Sequence, residues 1–158
     1  MAEKSGIPIT GIVPMEHTDL AEYAQFFADA FSSAPWNEPW TKASAAMRIG
    51  AMMSSATFLG LAMYRNGVLL GMIFGQLEYS HSGRQFQIQE FCVAGSERGK
   101  GSGSALLQSL RQSLSSMGVD GGIYLITSRG ESTEGWYRRR GFRTSEEFIL
   151  MYQLNLEE

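Results

Sequence analysis

Arg98-Gly99-Lys100-Gly101-Ser102-Gly103 is the stretch of this 158-residue sequence whose residue types and spacing most plainly suit chemistry. Three glycines in five residues let the backbone approach a ligand with no Cβ in the way. A run with helical apolar spacing follows from Ser104 to Met117, so the stretch lies where a helix start offers unpaired N–H groups and a partial positive charge. The combination predicts an anion site, with a pyrophosphate first among the candidates. Two familiar phosphate motifs do not fit. A P-loop needs Gly-x-x-x-x-Gly-Lys-Ser/Thr, but here Gly101 follows Lys100 and Ala94 stands where the first glycine belongs. The dinucleotide fingerprint fails because Gly103 comes one residue early, and no acidic residue ends a following strand to hold a ribose.

The strand-like run 86–93 before this stretch has a phase slip: Phe86 and Ile88 share one parity, while Phe91 and Val93 share the other. One extra residue near Gln89 or Glu90 restores a single apolar face, and a β-bulge supplies it, bending the strand and freeing backbone groups. Glu90 is therefore a carboxylate at a bend, where partial burial can raise its pKa. Farther away, Trp36, Glu38 and Trp40 share a Pro35/Pro39 loop that can stack on and attract a cationic amine, or plug the core. Trp136 and Tyr137 on a helix suit core packing or catalysis. Arg138, Arg139 and Arg140 read as a solvated helix end or as a reach toward a phosphate. His17 and His81 have no neighbours at metal-ligand spacing, and no Ser/His/Asp signature supports a hydrolase.

Residues 1–158 form one domain by length, with residues 1–6 a loose terminus; a chain of this size buries roughly 70% of its unfolded surface. The net charge of -3, with mixed signs, argues against nucleic acid or an anionic membrane as a main partner. Cys92 is the single cysteine, most simply a small buried residue, and it rules out an internal disulfide. No apolar leader or long apolar run appears, so a reducing cytoplasm is the expected location.

The elements that must position these residues are legible in outline. A short strand at 9–14 precedes a helix marked by Leu20, Tyr23, Ala24, Phe27, Ala30 and Phe31, with Asp19 and Glu22 as a capping pair. Thr41 can cap a second helix running to about Ser54. Strands at 57–65 and 68–79 flank Asn66-Gly67, the strongest short hairpin signal, and 85–93 completes a meander. The helix after the glycines stops at Gly118 and leads into an apolar strand at 123–127, which implies a parallel crossover. Ser128 and Glu131 suggest a capping box for the Trp136 helix, Gly141 can end that helix, and 148–154 supplies a last strand, pairing with 142–144. The fold class is α/β (α+β): a mixed, mostly antiparallel sheet with helices on its faces.

Read as Arg/Gln-x-x-Gly-x-Gly/Ala, the residues Arg98, Gly101 and Gly103 resemble the acyl-coenzyme A loop of the GNAT superfamily of N-acetyltransferases. Gly135-Trp136-Tyr137-Arg138-Arg139-Arg140-Gly141-Phe142 is similar to that family's C-terminal helix signature, and the order of elements matches from about residue 85 to 154. The resemblance implies roughly six to seven strands with about four helices, and a bulged fourth strand that splays from its parallel neighbour to admit the pantetheine arm of acetyl-CoA. It implies cofactor contacts from Phe91, Cys92, Val93, Arg98, Gly99, Lys100, Gly101, Ser102, Gly103 and Ser104, with the Phe91 N–H on the thioester carbonyl and Val93 on the pantetheine. It puts Trp36, Glu38 and Trp40 over the acceptor pocket and Tyr137 in position to protonate the leaving thiolate. No metal is implied.

Transfer to an amine needs the neutral amine, and deprotonating one with pKa near 10 at pH 7 costs roughly 4 kcal/mol, at about 1.36 kcal/mol per unit. Glu90 is the candidate base; the competing reading is an edge glutamate that binds a substrate ammonium or satisfies the bulge. Many relatives carry the glutamate three residues earlier, where this chain has Gln87, and others are acidic at the position of Glu90. An asparagine common in relatives is replaced by Gly130. The expected function is direct transfer of an acetyl group from acetyl-CoA to a primary amine of a small cationic molecule. A protein N-terminus or lysine as acceptor, or a non-catalytic acyl-CoA sensor, are the alternatives. A homodimer is open, as many relatives are dimers.

Overall fold

The computed structural model describes residues 10–156; the expected loose terminus at 1–6 and the start of the first strand at Ile9 lie outside the described residues. The chain divides after Leu125 into two compact units, Met1–Leu125 and Ile126–Glu158.

Among the described residues the first unit holds five strands, β1 Gly11–Pro14, β2 Phe58–Arg65, β3 Val68–Ser80, β4 Gly83–Val93 and β5 Ile123–Leu125, arranged in chain order in one sheet. The β1–β2, β2–β3 and β3–β4 pairs are antiparallel, and β4–β5 is parallel. The β2–β3 connection is the expected tight hairpin, with Asn66 at φ 50° and Gly67 at φ 76°. Helices α1 Leu20–Ser32 and α2 Lys42–Met53 cover one face, burying Tyr23, Phe27 and Ile49 against Met72, Phe74 and Cys92. Thr41 caps α2 in a full capping box, exchanging hydrogen bonds with Ser44 at 3.0 Å each way. Asp19 makes no such cap on α1. A 3-10 turn at His17–Asp19 already leads the backbone into the helix, its Asp19 N–H donating to the Glu16 carbonyl.

Helix α3, Ser102–Ser116, lies on the opposite face through Leu106, Leu107, Leu110 and Leu114, all buried. It starts at Ser102, two residues before the expected Ser104, because Gly101 itself takes the N-cap position. A Cβ on Gly71 of β3 would stand 2.9 Å from Leu106 Cδ1, so a glycine there lets α3 pack close to the sheet. The helix ends as Gly118 expects: Gly118 takes φ 70°, and the N–H groups of Gly118 and Val119 donate to Ser115 and Leu114.

The second unit carries one helix, α4 Glu134–Arg138, and no strand among the described residues. Among the described residues the sheet therefore has five strands where six to seven were expected. The arm expected to pair with the last strand is held elsewhere: the Phe142 N–H donates to the Tyr137 carbonyl, and Thr144 Oγ1 donates to Glu134 Oε1 at 2.8 Å. Residues 148–152 are left extended to solvent with no ladder, Ile149 and Met151 each more than 80% exposed. The Ser128/Glu131 capping box also does not form. Thr133 is the N-cap and its hydroxyl meets Ser128, while Glu131 is held by Arg138 and Arg139.

Candidate active site

β4 carries the bulge that the phase slip predicts. Phe74 pairs with Glu90 but Gly75 pairs with Ile88, which leaves Gln89 as the extra residue. The consequence is a single apolar face: Phe86, Ile88, Phe91 and Val93 lie opposite Leu77, Gly75, Ile73 and Gly71, on the side covered by α3. Glu90 and Gln87 fall on the other face with Phe74 and Gln76, toward α2, where Gln76 donates to the Met52 carbonyl. The side-chain oxygen of Gln89 is buried with no hydrogen-bond partner.

The parallel ladder to β5 covers only Phe86, Gln87 and Ile88. It ends where the bulge begins, while β4 runs on to Val93. Beyond β4 the chain makes a 3-10 turn, Gly95–Glu97, then bends twice through left-handed glycines, Gly99 at φ 75° and Gly101 at φ 85°, into α3. A Cβ on either glycine would stand in open space, which is the room a ligand close to the backbone needs. Two loop amides are engaged internally, Arg98 N–H with Gly95 O and Lys100 N–H with Glu97 O, both at 3.3 Å. The Ser102 and Gly103 N–H groups open the helix and have no intrahelical acceptor. Ser102 is buried and its hydroxyl donates to Glu97, so only its amide is available to the loop mouth. Arg98 and Lys100 are exposed, and Ser104 lies in the first turn of α3.

Glu90 is largely buried and held by Arg48 of α2, whose Nε and Nη2 both lie 2.6 Å from its Oε1. Burial raises the Glu90 carboxyl above its usual range, Arg48 works in the opposite direction, and the Glu38 charge adds to the rise. The Arg48 guanidinium also sits 5.8 Å from the Trp40 ring, and the Trp40 indole N–H donates to Glu38 Oε2 at 2.6 Å. Glu38, Trp40, Arg48 and Glu90 thus form one contiguous chain of contacts. Both tryptophans also pack on the core, Trp40 edge-on to Phe27 at 5.0 Å and Trp36 against Phe31 at 5.8 Å. The two readings of this loop are therefore compatible for Trp40. Arg48 was not visible as a site residue in the sequence, where it is one more cation on a helix flank beside the buried Ile49. Cys92 is buried, and burial pushes its thiol pKa up, so it is a poor nucleophile.

In the second unit Tyr137 stacks edge-on to Trp136 at 5.1 Å and to Phe142 at 5.3 Å. The spacing of the Trp-Tyr and Gly-Phe pairs has a local cause. Gly141 takes φ 90°, its N–H donates to Arg138, and the Phe142 N–H reaches back to Tyr137, a glycine helix stop sealed by the Tyr137–Phe142 ring contact. Burial raises the Tyr137 hydroxyl pKa above its ordinary value, which makes it a weaker acid than an exposed tyrosine. Arg140 lies over the Trp136 ring at 3.6 Å, and Arg138 and Arg139 pair with Glu131, which accounts locally for the three arginines.

A loop of left-handed glycines feeding a helix start, beside a bulged strand whose parallel ladder stops short, defines an α/β acyltransferase-type frame. Residues 20–142 match the acetyltransferase (GNAT) family, and the chain belongs to that family. Among solved structures it is similar to a transcriptional regulator from Bacillus halodurans, at 18% identity and TM-score 0.72, covering 92% of this chain and 100% of that one. It is also similar to an aminoglycoside acetyltransferase from an uncultured soil metagenomic sample, at 17% identity and TM-score 0.69, covering 92% and 97%. An aminoglycoside N-acetyltransferase in complex with CoA matches at 14% identity and TM-score 0.72, covering 90% and 93%. At these identities the likeness is one of fold. No curated protein sequence matches the chain. Among the described residues, no helix is long and apolar enough to cross a membrane, and no group of three or more His, Cys, Asp or Glu side chains is placed to hold a metal.

The residues present fit coenzyme A as the acetyl carrier. Open space over Gly99 and Gly101, the helix-start amides of Ser102 and Gly103, and the unpartnered buried oxygen of Gln89 at the bulge are features a phosphate-bearing, amide-rich ligand can satisfy.

Proposed function

We propose that this chain is a cytoplasmic acetyltransferase that moves the acetyl group of acetyl-CoA directly to a primary amine of a small cationic molecule. The observation that carries the reading is the end of the β4–β5 ladder at Ile88, directly before the bulge, with the glycine loop on the same strand's far end. Acetyl-CoA supplies an activated thioester. The Ser102 and Gly103 amides, with Arg98 and Lys100 beside them, hold the diphosphate, and the 91–93 backbone aligns the arm.

Glu90 takes a proton from the acceptor ammonium, directly or through water, and its raised pKa brings it nearer to working pH. Arg48 marks where a cation sits on that carboxylate. With its side chain 41% exposed, it can yield the place to an incoming ammonium. Trp40 and Glu38 line the approach, and the aminoglycoside acetyltransferases among the structural neighbours favour a small polycationic acceptor. Tyr137, protonated at neutral pH as any tyrosine is, gives its proton to the departing thiolate; burial raises its hydroxyl pKa and makes that transfer depend on the thiolate's own basicity. The buried Cys92 favours direct transfer over a covalent acyl-enzyme.

The Arg48–Glu90 pair also favours a second reading, an acyl-CoA sensor whose carboxylate at the bulge is neutralised. Acceptor-dependent release of free thiol from acetyl-CoA, over a panel of polyamines, aminoglycosides and lysine peptides, separates the two. Turnover with a polycation supports the transferase; binding of CoA with no thiol released by any acceptor supports the sensor.

A further inference from the structure

Glu97 occupies an unusual place for an anion. It immediately precedes Arg98, in the turn that leads into a loop read here as a diphosphate site, and it is 4% exposed. A buried carboxylate so close to bound phosphates repels them unless its charge is answered locally. The answer is complete. Arg65, the last residue of β2, donates Nη1 to Oε1 at 3.0 Å and Nη2 to Oε2 at 3.1 Å, a two-pronged pair. Ser102, the first residue of α3, donates its hydroxyl to Oε2 at 2.8 Å.

These contacts tie together three pieces of chain: the end of a sheet strand, the entry to the glycine loop and the start of the helix. The glycines between Glu97 and Ser102 have the widest backbone freedom of any residues, and ordering them on binding carries an entropic cost. A bond across the base of the loop, backed by a guanidinium anchored on the sheet, fixes both ends before a ligand arrives. Arg65 and Ser102, donating to the carboxylate, keep Glu97 ionised at working pH.

We propose that Glu97 is a positioning residue for the acyl-CoA loop: its carboxylate staples the loop between Arg65 and Ser102 and presets the helix-start amides for the diphosphate. The inference rests on the coenzyme A reading above and names a residue that acts through the loop rather than by touching the ligand.

Calorimetric titration of the full chain with coenzyme A tests it, together with thermal melting and amide hydrogen exchange. E97Q keeps the shape but loses the paired charge. It should weaken coenzyme A binding by about tenfold or more and speed exchange of amides 99–104 while β3 keeps its protection. E97D, which restores the charge, should recover part of the affinity. A wild-type dissociation constant in E97Q, or a loss in E97Q accompanied by faster exchange throughout β3, overturns the proposal. Should E97Q fail to fold, S102A removes one hydroxyl and leaves the ion pair; it should weaken binding by about threefold, and unchanged affinity there also overturns it. Wild-type protein that gives no heat with coenzyme A removes the cofactor reading and this inference together. Wild-type binding matched by E97Q removes this inference alone.

Discussion

Gly75→Ala is the substitution that most sharply probes the bulge. Gly75 lies on β3 across from Ile88, on the far side of the register shift. A Cβ added there would collide with the carbonyl oxygen of Gln87 and would stand 2.9 Å from that residue's carbonyl carbon and 3.0 Å from the Gln89 nitrogen. All three atoms belong to the main chain of β4, so no side chain can rotate away. Strands β3 and β4 must separate at the bulge. Overpacking of this kind costs about 1–3 kcal/mol, and loosening one or two ladder hydrogen bonds adds about 1 kcal/mol each, for a total near 3 kcal/mol. At this chain length that corresponds to a fall in Tm of about 6–12 °C. Gly95→Ala is the control, because a Cβ there meets nothing within 4 Å; it should stay within about 0.5 kcal/mol of wild type. Melting followed by circular dichroism measures both, and coenzyme A titration of the folded variants reads the bulge's part in binding. A Gly75→Ala protein as stable as Gly95→Ala, with unchanged affinity, would refute the tight strand approach on which the bulge argument stands.

Other expectations follow from the same geometry. Glu90 must be ionised to act as base, so kcat/KM rises with pH through its titration. Arg48 holds that titration down and Glu38 pushes it up; Arg48→Met should therefore move the acidic limb to higher pH, Glu38→Gln to lower pH, and Glu90→Gln should abolish the limb, while shifts of opposite sign would remove Glu90 as base. Tyr137→Phe should lower turnover by about a hundredfold with coenzyme A affinity unchanged; equal turnover in a steady-state assay would return Tyr137 to a packing role. Gly141→Ala places a Cβ on a residue at φ 90° and should cost about 1 kcal/mol, read as a small fall in melting temperature.

The bulge was legible in the sequence because an apolar face cannot change sides without cost: the slip between Ile88 and Phe91 located the extra residue to within one position, and the register puts it at Gln89. Asn66-Gly67 and Thr41 were legible because each meets a specific backbone demand. Arg48 and Glu97 were not. Each is a charged residue in a stretch where charge is ordinary, and its role depends on a partner more than thirty residues away, 42 for the Arg48–Glu90 bond and 32 for Arg65–Glu97. The final strand was misread because the near-continuous apolar run at 148–154 gives the propensity for a strand but not a neighbour to pair with. The arm expected to serve, 142–144, is occupied in closing α4.

The central claim is that backbone amides at the start of α3 receive the diphosphate of coenzyme A. An amide-resolved NMR titration with coenzyme A tests it most directly. Saturable shifts concentrated at Gly99, Gly101, Ser102 and Gly103 are the predicted result; unchanged spectra at millimolar coenzyme A, or saturating shifts that leave those four residues unmoved, would contradict it.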